Sequence, residues 1–274
     1  MKLKYFNNKT LLIMYNTFKY SLLFSLLILF SCKNKPTNTS DVSAEKNTEN
    51  LVQKTTITFP SKDGLPITAD IYKTKRAKIN VLLCHQAGFS RGEYSDTALE
   101  LTKLGYAVMA IDQRSGNAVN NIKNETKLAA TKKGLGTTYL DAKQDIEGAI
   151  NYIFTQNEGE KIIVVGSSYS ASLALLIGVD NEKVKAVAAF SPGEYFKEIN
   201  MNKEISTYQK PVFVTSSLSE SESVTILIDK IDTKFTTHFI PEVKGIHGSR
   251  ALWKTTEGSE NYWASFTNFL SAIK

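Results

Sequence analysis

One serine lies at an abrupt change in sequence pattern. The pentapeptide Gly166-Ser167-Ser168-Tyr169-Ser170 separates a β-branched run from a small-residue segment whose apolar positions have helical spacing. It matches G-x-S-x-G at its first and third positions, with Ser170 in place of the final glycine. In that motif, small neighbours let a strand turn sharply into a helix, and the central hydroxyl projects above the sheet. Ser168 is therefore a candidate nucleophile, and a simple helix cap is the alternative.

A serine hydroxyl is a weak nucleophile unless a base removes its proton, and histidine is the usual base. The chain contains His85, His238 and His247. On folds that use this motif the base follows the nucleophile along the chain, which argues against His85. His238 lies in the alternating run "FTTHFIP", which is typical of a strand. His247 lies in the glycine-flanked segment "KGIHGSR" after the last predicted strand and is the candidate base.

An acid that orients such a histidine is expected between the serine and the base, after the seventh predicted strand. The segment "PVFVTSSLSESESV" supplies Glu220 and Glu222 and no aspartate. Glu220 is the better candidate because it lies three residues beyond Ser217, where the strand is predicted to end. Glu222 is the alternative, although an acid in the first turn of a helix also suits that position. Asp229 and Asp232 lie further along the predicted helix and are expected to be surface charges.

These side chains need a scaffold, and the sequence predicts alternating strands and helices. Strands are predicted at 55–59, 67–72, 79–85, 106–112, 161–167, 184–191, 211–217 and 235–243. Helices are predicted at 94–104, 140–154, 168–178, 223–231 and 262–273. Apolar strands that alternate with helices indicate a mostly parallel sheet with helices on both faces, preceded here by an antiparallel hairpin. Ligands bind at the carboxyl ends of the strands in such sheets.

Six segments occur in an order that resembles one family. They are "LLCHQAGFSRGEY", "AIDQRSGN", "DAKQDIEGAINYI", "VVGSSYSAS", "PVFVTSSLSESES" and "GIHGSR". Over about residues 55–274 the chain is similar to α/β-hydrolases of the dienelactone-hydrolase-like or serine-aminopeptidase-like kind. The resemblance implies an eight-stranded α/β-hydrolase fold, with Ser168 as nucleophile, Glu220 as acid and His247 as base. Glutamate stands where aspartate is commoner in the family.

The resemblance also implies an oxyanion hole made by backbone N–H groups of Tyr169 and of either Gln86 or Ala87. His85 would then hold that loop in a structural role. The implied reaction is acyl transfer on an ester, thioester or amide of a small-molecule substrate, with an ester favoured and no metal or cofactor required. A non-catalytic binding protein on the same fold is the competing class.

Access to the site depends on what covers it. Residues 192–210 separate the sixth and seventh predicted strands, and this segment is too short for the helical cap of many relatives, so little or no cap is expected. Residues 114–139 are predicted to be an irregular segment that could overhang the nucleophile. Its lysines could favour an anionic substrate, although a solvated face is the simpler interpretation.

The first residues resemble a targeting segment. Four lysines and no acid accompany the apolar run "YSLLFSLLILFSC", which is too short to span a bilayer comfortably. Leu29–Cys32 resembles the lipobox of bacterial lipoproteins, in which the cysteine is diacylated. We therefore predict a lipoprotein signal peptide at 1–31, a lipid-anchored flexible linker at 32–54, a hydrolase domain at 55–274 and a location in the bacterial cell envelope. A plain membrane anchor or an ordinary signal is the alternative.

The net charge and the number of cysteines limit which binding partners the sequence predicts. Without residues 1–31 the chain has 29 basic and 27 acidic residues, so its basicity gives no reason to expect nucleic-acid binding. With Cys32 lipidated, Cys84 would be the only thiol, which suits a buried strand position. The expected partners are an acyl substrate and a membrane reached through Cys32, and the oligomeric state is left open.

Overall fold

The computed structural model describes residues 52–75 and 77–273. Within them ten strands form: β1 (Gln53–Pro60), β2 (Pro66–Lys73), β3 (Val81–Cys84), β4 (Val108–Ile111), β5 (Ala118–Val119), β6 (Ile122–Lys123), β7 (Ile162–Ser167), β8 (Val184–Phe190), β9 (Val212–Thr215) and β10 (Thr236–Phe239). Strands β5 and β6 form a separate small hairpin, and the other eight form the main sheet. The prediction of an eight-stranded sheet is confirmed.

The main sheet has the order β1-β2-β4-β3-β7-β8-β9-β10. β1 pairs antiparallel with β2, and β2 pairs antiparallel with β4. From β4 to β10 every neighbouring pair is parallel. The chain runs from β3 outward to β4 and then crosses back to β7, so the direction of winding reverses between β3 and β7. In open α/β sheets a crevice forms outside the carboxyl ends of the strands at such a reversal.

Seven helices are present in the described residues: α1 (Ser95–Lys103), α2 (Glu125–Lys132), α3 (Lys143–Gln156), α4 (Tyr169–Asp180), α5 (Met201–Glu204), α6 (Ser221–Ile228) and α7 (Ser259–Ala272). Short 3-10 helices occupy Arg91–Tyr94, Leu218–Glu220 and Gly248–Leu252. The five predicted helices are all present, with ends that differ by up to three residues.

Two apolar layers cover the sheet because side chains alternate along each buried strand. Leu82 belongs to one layer, where it packs in a cluster that includes Ile150 of α3 and Leu173 of α4. The next residue, Leu83, belongs to the opposite layer, which includes Leu101 of α1 and Phe266 of α7. Helices thus cover both faces, as the near-continuous apolar strands predicted.

The prediction of an irregular segment at 114–139 was wrong in part, because this segment contains β5, β6 and α2. The helix was missed since its sequence, "ETKLAATK", lacks an apolar stripe and buries only Thr126 and Ala130. Asn124 caps the start of this helix, because its side chain accepts a hydrogen bond from the Lys127 N–H at 2.8 Å.

The expectation of little or no cap is confirmed between β8 and β9. That connection contains only α5, a helix of four residues. The carboxyl ends of the strands are therefore not covered by a helical insertion at this point, which leaves the loops after β3, β7, β8, β9 and β10 to form the site.

The predictions for the signal peptide, for Cys32 and for most of the linker concern residues outside those that the structure describes. The first strand begins at Gln53, two residues before the predicted start of the domain. None of the helices in the described part of the chain has both the length and the apolar character needed to cross a bilayer.

Candidate active site

Ser168 lies at a sharp bend between β7 and α4, with φ 60° and ψ −126°. This conformation is rare for a residue with a side chain, and such strain is concentrated at functional sites. Gly166 makes the bend possible, because a Cβ atom there would lie 2.4–2.6 Å from backbone atoms of Ser170 and Ala171. The Ser168 N–H donates to the Phe190 carbonyl at 2.8 Å, which fixes the bend against β8. The strand-turn-helix context predicted for the pentapeptide is present.

Ser170 replaces the last glycine of the motif, and its hydroxyl has a use that glycine could not supply. It donates to the carbonyl oxygen of His85 and accepts a hydrogen bond from Gln113 Nε2 at 2.6 Å. Ser170 is completely buried. The hydroxyl of Ser170 therefore connects the start of α4 to the loop after β3, and the sharp bend at Ser168 is retained.

The structure brings His247 and Glu220 together. His247 Nδ1 lies 2.5 Å from Glu220 Oε1. The other carboxylate oxygen, Oε2, accepts from the hydroxyls of Ser191 at 2.9 Å and Ser217 at 2.6 Å. Burial raises the pKa of Glu220, but the hydrogen bonds from His247 and Ser217 outweigh burial and lower it to about 2. The carboxylate is thus ionised at neutral pH and can hold the imidazole in one orientation.

The other candidates for acid and base lie elsewhere. Glu222 is exposed in the first turn of α6, and Asp229 and Asp232 are exposed beyond the end of that helix. His238 lies within β10, as its alternating sequence predicted. Of the alternatives that the sequence left open, Glu220 is therefore the acid that contacts His247.

The loop that carries His247 is bonded to the residue before Ser168. The backbone N–H of Ser249 donates to Ser167 Oγ at 2.8 Å, and the N–H of Gly248 donates to Ser191 Oγ at 2.9 Å. These bonds join the ends of β7 and β8 to the histidine loop. They explain how residues about eighty positions apart in the chain come to the same edge of the sheet.

Two backbone N–H groups at this edge could stabilise an oxyanion. Tyr169 is the first residue of α4, where a helix has no internal acceptor for the N–H. Of the two alternatives on the loop after β3, the Gln86 N–H is occupied, since it donates to Glu93 Oε2 at 2.7 Å. The Ala87 N–H has no acceptor in the part of the chain that the structure describes. Ala87 and Tyr169 are therefore the available pair.

His85 lies within the same loop and is completely buried. Its Nε2 accepts from the Gln113 N–H at 2.9 Å, which leaves Nδ1 to donate to the Gln86 carbonyl at 2.8 Å. Burial lowers the pKa of His85 to about 4, so the ring is neutral at neutral pH. These contacts place His85 where it stabilises the conformation of the loop.

Three residues that border the site were not predicted from sequence. Ser191 bonds Glu220, and Glu93 bonds the loop after β3. Tyr195 donates from its hydroxyl to the Ser191 carbonyl at 3.0 Å. Burial raises the pKa of Tyr195, and hydrogen bonding with the Ser168 side chain opposes that rise. No local motif marks these positions, because each contact joins segments that are distant in sequence or depends on the exact course of a loop.

Among the described residues, no group of three or more His, Cys, Asp or Glu side chains is arranged to hold a metal ion.

The winding of the sheet, the bend at Ser168 and the His247–Glu220 pair define an α/β-hydrolase. The sequence profile of the family described as "Serine aminopeptidase, S33" matches residues 75–251, which is more than half of the 274-residue chain. The chain belongs to this hydrolase family.

Solved structures share the fold at low sequence identity. An esterase from Pyrococcus furiosus is 15% identical, with a TM-score of 0.63, over 88% of this chain and 98% of the esterase chain. A dienelactone hydrolase from Anabaena variabilis is 16% identical, with a TM-score of 0.60, over 81% of this chain and 98% of its own. An acylaminoacyl peptidase from Pyrococcus horikoshii is 14% identical, with a TM-score of 0.61, over 86% of this chain and 44% of its own. No curated protein matches this sequence.

Gly248 provides a test of how tightly the histidine loop packs. Its φ is +76°, and a Cβ atom there would lie 2.5 Å from Ser167 Oγ and 2.6 Å from Gln86 Oε1. We expect Gly248→Ala to lower the free energy of unfolding by the backbone strain of a positive φ, about 1–2 kcal/mol, and by a further ~1–3 kcal/mol from overpacking. Urea denaturation measures the total.

The matched control is Gly105→Ala. Gly105 has a φ of +92°, and nothing lies within 4 Å of the position of its Cβ atom. This variant carries the backbone strain without the crowding. Equal losses of stability in the two variants would show that the contacts around Gly248 are loose.

Proposed function

We propose that this protein is a serine hydrolase that cleaves carboxylic esters of small acyl substrates through Ser168, His247 and Glu220. The observation that carries the proposal is the 2.5 Å contact between His247 Nδ1 and Glu220 Oε1, on a loop bonded to the residue before Ser168. A half-buried carboxylate, an oriented imidazole and a serine on a strained bend are the parts that this chemistry needs.

Each step follows from these groups. Because Nδ1 of His247 is engaged by Glu220, Nε2 is the nitrogen that accepts the proton of Ser168 as its oxygen attacks the ester carbonyl. The N–H groups of Ala87 and Tyr169 stabilise the oxyanion of the tetrahedral intermediate. His247 then gives the proton to the departing alcohol, and an acyl-enzyme remains. Water, deprotonated by His247, then attacks the acyl-enzyme. The bond between the acyl carbon and the Ser168 oxygen breaks, His247 returns the proton to that oxygen, and the acid is released.

The preference for an ester over a peptide has two supports. Solved structures with the same fold include proteins named esterase and dienelactone hydrolase, although one is a peptidase. An aminopeptidase also needs a group that binds the ammonium of its substrate. The carboxylates of Glu220 and Glu93, which contact the loops of the site, already accept hydrogen bonds from groups within the protein. Thioesters and amides are the secondary candidates.

The nucleophile is tested with Ser168→Ala and short-chain p-nitrophenyl esters. We expect kcat to fall by about 10³-fold or more, since the remaining groups cannot form the acyl-enzyme. His247→Ala should be about as damaging, because the two residues act as a unit. Ser271→Ala, which removes an exposed hydroxyl on α7, is the control and should retain activity.

A wild-type protein that neither hydrolyses any ester nor reacts with a fluorophosphonate probe would favour the competing class. It would then be a binding protein that keeps the hydrolase fold.

The acid is tested with a matched pair of substitutions. Glu220→Gln removes the charge that orients His247, and we expect kcat to fall by about 10²–10⁴-fold. Glu222→Gln changes an exposed carboxylate two residues away and should leave kcat within about twofold of the wild type, as is usual for surface substitutions. Steady-state kinetics on the same ester compares them. The reverse pattern would assign the acid to Glu222.

We also propose that the protein is tethered to a membrane of the bacterial cell envelope through Cys32. The support is the sequence pattern of residues 1–32. In cells given radioactive palmitate, the full chain should become labelled and Cys32→Ala should not. Cys84→Ala removes the other cysteine and is the control, which should keep the label. Label that persists in Cys32→Ala would rule out lipidation at this position.

A further inference from the structure

Glu93 lies in the 3-10 helix Arg91–Tyr94 and is 1% exposed. Its carboxylate accepts three hydrogen bonds. Oε2 accepts from the Gln86 N–H at 2.7 Å, and Oε1 accepts from Ser167 Oγ at 2.8 Å and Ser249 Oγ at 2.6 Å. Neither the proposed reaction nor the sequence motifs give this residue a task.

The three donors belong to three different parts of the proposed site. Gln86 lies on the oxyanion loop, one residue before Ala87. Ser167 directly precedes the nucleophile Ser168. Ser249 follows the base His247 by two residues, and its N–H also donates to Ser167 Oγ at 2.8 Å. A single carboxylate therefore contacts three of the five loops that form the proposed site, those after β3, β7 and β10.

Burying the carboxylate of Glu93 costs folding free energy, because the group loses its hydration. Burial raises the pKa of Glu93, and the hydrogen bonds from Ser249, Gln86 and Ser167 oppose the rise. No Lys or Arg forms a salt bridge with it within the described chain. An apolar side chain of similar volume would avoid the desolvation cost of a buried carboxylate that has no ionic partner. The stability of the fold therefore does not explain why position 93 carries a carboxylate. A requirement to hold the surrounding loops in a fixed geometry does explain it.

We propose that Glu93 is a positioning residue that sets the geometry of the oxyanion hole and the spacing between nucleophile and base. Its bond to Gln86 draws that N–H inward, which leaves the Ala87 N–H to face the substrate oxygen. Its bonds to Ser167 and Ser249 fix the bend at Ser168 relative to the His247 loop. This inference rests on the proposed function.

The test compares two replacements of similar size. In Glu93→Gln the amide oxygen can still accept from the Gln86 N–H, and the amide NH₂ can donate to the two serine hydroxyls, which rotate to accept. In Glu93→Met all three acceptor contacts are lost. We expect Glu93→Met to lower kcat for a p-nitrophenyl ester about 100-fold, the effect of misplacing reacting groups by about 1 Å. KM should change less than about threefold, because the substrate itself does not touch Glu93.

Glu93→Gln should keep a kcat at least about tenfold above that of Glu93→Met, since it preserves the network. Circular dichroism and melting temperature establish that each variant is folded. Asp145→Asn is the control for loss of a buried carboxylate, because Asp145 is fully buried and accepts from Arg114 at 2.7 Å. It should lower the melting temperature and leave kcat within about threefold, since the hydrogen bonds to its carboxylate within the described chain all come from Arg114, which bonds none of the proposed catalytic groups.

The proposal is overturned if folded Glu93→Met retains the wild-type kcat, or if Glu93→Gln falls as far as Glu93→Met. If Glu93→Met does not fold, Ser249→Ala decides instead. It removes one of the three bonds and should lower kcat by about three- to tenfold with KM unchanged, while an unchanged kcat overturns the proposal. A wild-type protein with no esterase activity would contradict the proposed function itself, which separates the two failures.

Discussion

The conformation of Ser168 is the constraint on which the rest of the site depends. A side chain at φ 60° is strained, and the bend persists only because the surroundings hold it. Gly166 lets α4 begin within hydrogen-bonding reach of the strand end, and the Phe190 carbonyl accepts the Ser168 N–H. This bend puts the hydroxyl and the Tyr169 N–H at the carboxyl edge of the sheet, beside the loop after β3. The position follows from the winding, because the sheet reverses direction between β3 and β7.

Polar contacts rather than apolar packing join the loops of this edge. Glu220 accepts from Ser191, Ser217 and His247, and Glu93 accepts from donors on three other loops. Buried hydrogen bonds are directional, and a partner that moves leaves an unsatisfied group at a cost of about 1–3 kcal/mol. Such networks therefore favour one arrangement of the loops. The apolar layers on the two faces of the sheet supply stability, and the networks at its edge supply geometry.

The sequence predicted correctly those features that depend on the pattern of adjacent residues. The buried strands are recognised by their near-continuous apolar residues, and the five helices with apolar positions at helical spacing are all present. Helix α2 was missed because it has no such stripe, and the hairpin β5–β6 because its strands have two residues each. The carbonyl partner of Ser170 could not be inferred, since it lies on a loop 85 residues away in the chain.

By itself the sequence determined the alternation of strands and helices, the order Ser168, Glu220, His247 along the chain and the choice of family. These follow from periodicity and from motifs, which are properties of adjacent residues. The tertiary structure decided which acid contacts His247 and which N–H of the loop after β3 is free. It also placed Glu93 among three loops. Each of these outcomes depends on distances of less than 3 Å between residues that are 7 to 156 positions apart in the chain, and no local pattern encodes such distances.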